Sequence, residues 1–250
     1  MSARMSPGSA RLLLIAALII LWELGVRVAG DPLFLSPPSQ MVVALVGFLN
    51  EPQVLGAIEI TLWELLAAFI LAVGIGLPLG LIIGLRRFAY GSFYPVVLLA
   101  YAIPQATILP LVILAFGIGP ESKIAFGFTH AVFPIIVNVI AGVQGIKPLY
   151  VNSARSMGAN RRQILLNVVI PHAVPSFFTG LRLAMTGDLL GVLLAELFVS
   201  QDGVGHYTRM FTQSFQPQKL FAIIAALATI AVVLNELCRR VERHMSRWHD

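Results

Sequence analysis

Asn152-Ser153-Ala154-Arg155-Ser156-Met157-Gly158, followed after the basic pair Arg161-Arg162 by Ile170-Pro171, is a hydrophilic island between long apolar stretches. A polar segment between two membrane crossings has to lie in water, where it is free to touch another molecule. Its pattern predicts two short helices, over 151–158 and 160–169. They part at Gly158, where a residue without Cβ takes up the left-handed geometry that ends a helix. Asn160 with Gln163 three positions on matches a capping box. Ile164, Leu165, Val168 and Val169 then make an apolar face opposite Arg161, Arg162 and Asn167. Pro171 and Pro175 are expected to stop this second helix before the next apolar run. A basic amphipathic helix needs only a membrane surface to lie on, so the pattern by itself names no partner.

Outward from the island the chain is apolar. Of its 250 residues 58% are hydrophobic and 12% charged, with mean hydropathy +0.86, more apolar material than a soluble core of this size buries. The fold class expected is an all-α integral membrane protein. A spanning helix needs about 20 mostly apolar residues, and six runs qualify: Leu12 to Val28, Ile60 to Leu85, Pro95 to Ile118, Ile124 to Ile146, Phe177 to Val199 and Leu220 to Cys238. With the N-terminus inside, the outer segments hold only Arg27, Lys123, Arg209 and Lys219 of the 17 Lys and Arg residues. That asymmetry places both termini in the cytoplasm. The first run continues past Leu21 through Trp22 and Val26, longer than a signal peptide requires, and is read as a retained anchor. After it, Leu35-Ser36-Pro37-Pro38-Ser39 breaks the chain, and Met41 to Leu49 predicts a short helix along the outer interface. The resulting division is 1–55, an N-terminal span with an outer interfacial segment; 56–241, the membrane domain; and 242–250, a basic cytoplasmic tail.

Within the spans, Ala72, Gly76, Gly80 and Gly84 recur every four residues and predict a small-residue ridge for close helix packing, with a kink at Pro78. The third span is broken by Pro104 and Pro110 and carries Gln105 and Thr107; the fourth carries His130, Pro134 and Asn138. Polar groups at membrane depth face protein or a water-filled passage, so Gln105, Thr107, Asn138, Asp188 and Glu196 are candidates for lining a translocation path. For His130 an interhelical hydrogen bond is the favoured reading. Asp188 and Glu196 lie eight residues apart, about 12 Å along a helix, and cannot form one acid–base pair. Lining and structural roles stay open for Asp188; a structural role is favoured for Glu196. Glu23 and Glu64 are read as lying near span ends.

No catalytic constellation is present. The single Cys238 excludes an internal disulfide or cysteine cluster, no two histidines are spaced as ligands within one span, and no G-x-x-x-x-G-K-[ST] loop cradles ATP. No metal or cofactor site is expected. The basic residues punctuate the ends of apolar runs instead of forming a face with interleaved aromatics, which argues against nucleic acid.

The island resembles the coupling loop of type I ABC-importer permeases, whose pattern puts a glutamate and two alanines ahead of a glycine and ends in a hydrophobic residue plus proline. Ala154, Gly158 and Ile170-Pro171 match, whereas Asn152 and Ser153 do not. Pro104 to Gly119, with Ile108-Leu109-Pro110-Leu111-Val112-Ile113-Leu114, and the later Ala195-Glu196 and Gly203-Val204-Gly205, are similar to the nitrate/sulfonate/taurine branch of that family; the likeness runs from about Ser36 to the sixth span. The resemblance implies the type I permease fold with six spans in a bacterial inner membrane. Two permease copies would form the path, two ABC ATPase subunits carrying ATP and Mg would bind the loops, and a periplasmic solute-binding protein would deliver the solute. The docking set it implies is Asn152, Ala154, Arg155, Met157, Gly158, Ala159, Arg161, Ile170 and Pro171. The chain is then not an enzyme, since hydrolysis belongs to the partner. An ion-coupled carrier titrating Asp188 or His130 is the alternative.

Overall fold

A computed structural model describes residues 7–30, 35–48 and 50–245, and these are helical with no strand among them. Helix α1, Pro7–Ala29, is followed by the short α2, Pro38–Phe48, which starts at a proline three residues before the expected Met41; the expected end at Leu49 lies outside the described residues. Pro38 suits a first turn because its missing N–H has no partner there in any case. Helix α3, Pro52–Leu85, has 34 residues and begins eight positions ahead of the expected span. Both it and the next helix pass through an internal proline: Pro78 in α3, and Pro95 in α4, Arg87–Ala102.

After α4 the chain turns at Ile103-Pro104, makes a 3₁₀ turn over Gln105–Ile108 and enters α5, Leu109–Phe116; the two halves are bent by 83°. The third expected span is therefore a broken one, with Pro104 unable to donate and Pro110 placed in the first turn of α5. Among the described residues, counting that pair as one crossing gives six, and five single helices are long and apolar enough by themselves.

Helix α6, Pro120–Gln144, is the centre of the bundle. It packs chiefly against α3 and against α9, Ile170–Val199. Lipid is as apolar as leucine, so helices gain little by burying apolar surface against each other and need close backbone approach instead. The α3 ridge supplies it. A Cβ on Gly76 would lie 3.1 Å from the Ile135 side chain, one on Gly80 2.8 Å from Val139 and one on Gly84 3.0 Å from Val143. The α9 side does the same through Gly180, Gly187 and Gly191, set against Asn138, the His130 carbonyl and Gly127. Ala72, Ala131, Ile135, Val139, Ile140 and Ala184 fill the core between the three helices.

Between α6 and α9 stand α7, Pro148–Ser156, and α8, Arg161–Ile164. The expectation that Pro171 and Pro175 end the second hairpin helix is overturned. Leu165–Val169 form a π turn in which Ile170 N–H reaches the Leu165 carbonyl, and the chain runs on helically from Arg161 to Val199. The wider turn takes up the residue that Pro171 would otherwise clash with. At the far end α10, Val204–Gln213, and α11, Pro217–Met245, share a second core of Phe48, Val54, Val204, Phe211, Ala222 and Ile223. Most of the tail, 246–250, lies outside the described residues.

Two substitutions on α3 separate the packed face from the lipid face. Gly80→Leu, pressing on branched Val139 and on the Ile136 carbonyl at 3.1 Å, should lower stability by about 1–3 kcal/mol. Gly74→Leu, with nothing within 4 Å of its Cβ, should change it by less than about 0.5 kcal/mol. Thermal unfolding in detergent is the measurement, and equal effects at the two positions would refute the assignment of faces.

Candidate functional site

The α7–α8 hairpin is built by local chemistry. Gly158 has φ +82°, Ala159 N–H donates to the Ala154 carbonyl at 3.0 Å and Gly158 N–H to the Arg155 carbonyl at 2.9 Å, the paired bonds of a Schellman end. Two residues on, Asn160 Oδ1 accepts Gln163 N–H at 2.9 Å while Gln163 Oε1 accepts Asn160 N–H at 2.8 Å, the expected capping box. One helix is closed and the next opened within five residues, so the tip is rigid although it protrudes. Gly158 has open space around its Cβ position and Met157 is 81% exposed.

The hairpin has two unlike sides. One, with Asn152, Arg155, Ala159 and Arg161, lines a cleft of about 1210 Å³ against the ends of α3 and α6, where Gln144 Nε2 donates to the Gly84 carbonyl at 2.7 Å. The other is a shallower groove of about 400 Å³ with Tyr150, Ala154, Met157, Asn167, Pro171 and His172. Ala154 is buried and helps close the hairpin; Ile170 and Pro171 are half-buried where it joins α9. Seven of the nine residues of the expected docking set thus lie on one hairpin, with Met157 and Gly158 at its apex and Asn152, Arg155 and Arg161 exposed on its flank, and the other two, Ile170 and Pro171, open α9.

The five candidate path residues do not converge. Gln105 and Thr107 sit in the 3₁₀ turn of the broken span, where Thr107 Oγ1 donates to the Pro104 carbonyl at 2.7 Å. Asn138 donates back to the Pro134 carbonyl at 2.8 Å on α6, level with Gly180. Asp188 stands against Gly127, where a Cβ would be 2.5 Å from its Oδ1. The eleven residues from Gly127 to Asn138 put those two levels roughly 16 Å apart. Asp188 is buried, and its Oδ1 has no hydrogen-bond partner. The expected interhelical bond of His130 is replaced by one within its own helix, Nδ1 to the Phe126 carbonyl at 3.0 Å, and Gly191 of α9 packs against the ring, where a Cβ would lie 2.9 Å from Nδ1.

Glu196 belongs to a buried polar knot at the end of the bundle opposite the hairpin. Its Oε1 accepts Thr61 Oγ1 at 2.6 Å and its Oε2 accepts Gly205 N–H at 2.7 Å, while Val204 N–H donates to Thr61 Oγ1 at 2.9 Å. Gly203, at φ +93°, and Gly205 leave no room for a Cβ beside this carboxyl. Beside it lie two residues misplaced by the sequence reading. Glu64 is fully buried within α3, not near its end, and Lys123, expected in an outer loop, is the fourth residue of α6, 5% exposed and ion-paired with Glu64. Helix α6 begins at Pro120, and its first turn carries the lysine inside. The usable signal was the lone acid within an apolar run, Trp63-Glu64-Leu65, which has to find a cation. Lys123 Nζ also donates to Ser200 Oγ at 3.1 Å, and Arg209 caps α9 through the carbonyls of Leu197, Phe198 and Ser200 at 2.7–3.2 Å.

The family model for binding-protein-dependent transport system inner membrane components matches residues 76–247. The taurine transport system permease protein TauC of Escherichia coli (strain K12) is 31% identical over 240 residues, 93% of this chain and 86% of that protein. The putative aliphatic sulfonates transport permease protein SsuC of Bacillus subtilis (strain 168) is 28% identical, with coverage of 100% and 93%. The formylaminopyrimidine transport permease protein ThiX of Halalkalibacterium halodurans is 27% identical, with coverage of 92% of each. Among solved structures, a chain of the MetNI methionine ABC transporter in inward-facing conformations superposes with TM-score 0.69 at 18% identity, over 79% of this chain and 98% of that one, which establishes the type I importer permease fold. A matched stretch that contains α6, the hairpin and α9, together with full-length relatives that are permeases, makes this chain a member of the binding-protein-dependent transport system inner membrane component family, a membrane transport subunit and not an enzyme.

Proposed function

We propose that the chain is the permease of an ATP-driven importer in a bacterial inner membrane, two copies forming the path for a small sulfonate of the taurine type. A periplasmic binding protein delivers the solute, and two separate ATPase subunits act through the 150–171 loop. Both termini are cytoplasmic on this reading, since the hairpin then lies on the side where the Lys and Arg residues collect. The observation that carries the proposal is the hairpin. A bare glycine and an exposed methionine at a rigid, doubly capped tip form a surface that costs little to cover, and the tip is continuous through the π turn with α9. A partner that pushes the tip therefore moves a core helix. Binding of ATP to the two ATPase conformations with unequal affinity supplies the drive. The solute class rests on the likeness to TauC and SsuC; the likeness to ThiX shows how far substrates diverge at this level of identity.

The ion-coupled alternative would use Asp188 or His130. Asp188 is 2% exposed and His130 is bonded within its own helix, which counts against either meeting a permeating ion in this conformation.

Gly158→Trp should leave the protein folded in the membrane but cut co-purification of the ATPase, and solute-stimulated hydrolysis, by at least about tenfold, equivalent to about 1.4 kcal/mol of lost contact. Normal co-purification and stimulation would refute docking at the tip. In proteoliposomes with its ATPase and binding protein, the permease should take up taurine or an alkanesulfonate only with internal ATP. Uptake that persists without ATP and collapses with an ion gradient would favour the carrier.

A further inference from the structure

Charge is balanced over most of the bundle but not at the hairpin end. Lys123 pairs with Glu64, Arg182 with Glu242, and Arg239 with Glu236. Among the described residues Arg86, Arg87, Lys147, Arg155, Arg161 and Arg162 have neither an ion pair nor a side-chain hydrogen bond, and all six are exposed. The adjoining chain cannot neutralise them, since no Asp or Glu occurs between Glu64 and Glu121 or between Glu121 and Asp188. Glu64 belongs to the knot at the far end, Glu121 to the first turn of α6 and Asp188 to the packed face against Gly127. Glu236 and Glu242 of α11 are taken up by their own arginines.

Two of the six cations, Arg155 and Arg161, line the cleft of about 1210 Å³ between the hairpin and the ends of α3 and α6. No acid lines it. Gln144, Asn152 and Asn160 add neutral polar groups, and the floor is apolar, with Leu85, Val143, Ile146, Val151, Leu165 and Val169. Arg86 follows Leu85 in the chain and Lys147 stands between the lining residues Ile146 and Pro148, which puts two further cations next to lining residues. A free anion would use the guanidinium groups and leave this floor wet, whereas an anionic amphiphile covers both. Depth favours the amphiphile as well. The cleft lies where two spanning helices end, and Phe88, 82% exposed, follows Arg86-Arg87 there as an aromatic group does at the level of lipid headgroups.

We propose that this cleft seats an acidic phospholipid of the cytoplasmic leaflet, its phosphate held by Arg155 and Arg161 and its chains laid over the apolar floor. A guanidinium presents paired N–H groups that match two phosphate oxygens, and basic pockets between the cytoplasmic ends of spanning helices suit anionic headgroups. Seated there, the lipid ties the hairpin to the ends of α3 and α6 and sets where it rests before a partner pushes it. The inference rests on the cytoplasmic placement proposed for the hairpin, and it leaves the tip, Met157 and Gly158, to the ATPase.

Native mass spectrometry of the permease alone in detergent, titrated with phosphatidylglycerol or with phosphatidylcholine of the same chains, tests it. Phosphatidylglycerol should bind at least about tenfold more tightly, and Arg155→Gln and Arg161→Gln should each weaken it by about fivefold with little effect on phosphatidylcholine. Both arginines are exposed and unpaired, so their loss leaves the fold intact. Arg239→Gln with Arg240→Gln, which removes two cations from α11, should keep the preference. Millimolar inorganic phosphate should not displace the lipid; displacement would mark a site for free anions and overturn the proposal. Equal affinity for the two lipids would overturn it too. So would phosphatidylglycerol binding that survives Arg155→Gln with Arg161→Gln while ATPase co-purification is lost, since the arginines would then belong to the ATPase. Gly158→Trp should retain the lipid preference, so failure at the tip and failure at the cleft are separate results.

Discussion

Close backbone contact, not apolar burial, holds this bundle together. In lipid a leucine gains almost nothing by turning from a hydrocarbon tail to another helix, so the contacts that matter are those where side chains are absent. Helix α6 has such contacts on both sides, with Gly76, Gly80 and Gly84 of α3 on one and Gly180, Gly187 and Gly191 of α9 on the other. The large apolar residues face outward: Leu62, Trp63, Leu66, Ile70 and Leu71 of α3 are all exposed, as suits a surface wetted by lipid. The arrangement inverts the soluble pattern, with small residues at the centre and bulk at the rim.

Because close packing leaves little space, the polar groups inside must satisfy one another over short distances. Glu196 can reach Gly205 and Thr61 only because glycines stand at 203 and 205, and Lys123 can enter the first turn of α6 only because Ser200 and Glu64 receive it. Small residues and charges are thus two parts of one device. The first bring the backbones together, and the second fix which turn of one helix stands beside which turn of another, where apolar contact alone would let them slide. At the opposite end Gln144 does a neutral version of the same work on the Gly84 carbonyl.

Much of this was visible beforehand, and the reasons are local. A glycine every fourth residue marks a helix face without knowledge of the partner, so the α3 ridge was legible; the spacing of Gly180, Gly187 and Gly191 is less regular and became meaningful only beside α6. Gly158 and the Asn160–Gln163 pair were legible because each acts through bonds to its own neighbours. Pro171 misled, since a proline predicts a stop from local sterics, while the π turn that absorbs it is a response of the whole continuous helix. Glu64 and Lys123 were missed as a pair for a different reason: 59 positions separate them, and which side of a helix start a charge falls on depends on where its counter-ion waits.

The continuity of α8, the π turn and α9 has a geometric consequence. From Arg161 to Val199 there are 39 helical residues, a rod of roughly 58 Å. If such a beam pivots near its middle by about 5°, each end sweeps about 2.5 Å, close to half a helical turn. The glycine contacts along its middle serve as a fulcrum, and the capped apex and the carboxylate-bearing terminus sit at the two ends of a lever whose arms are set by where those glycines fall.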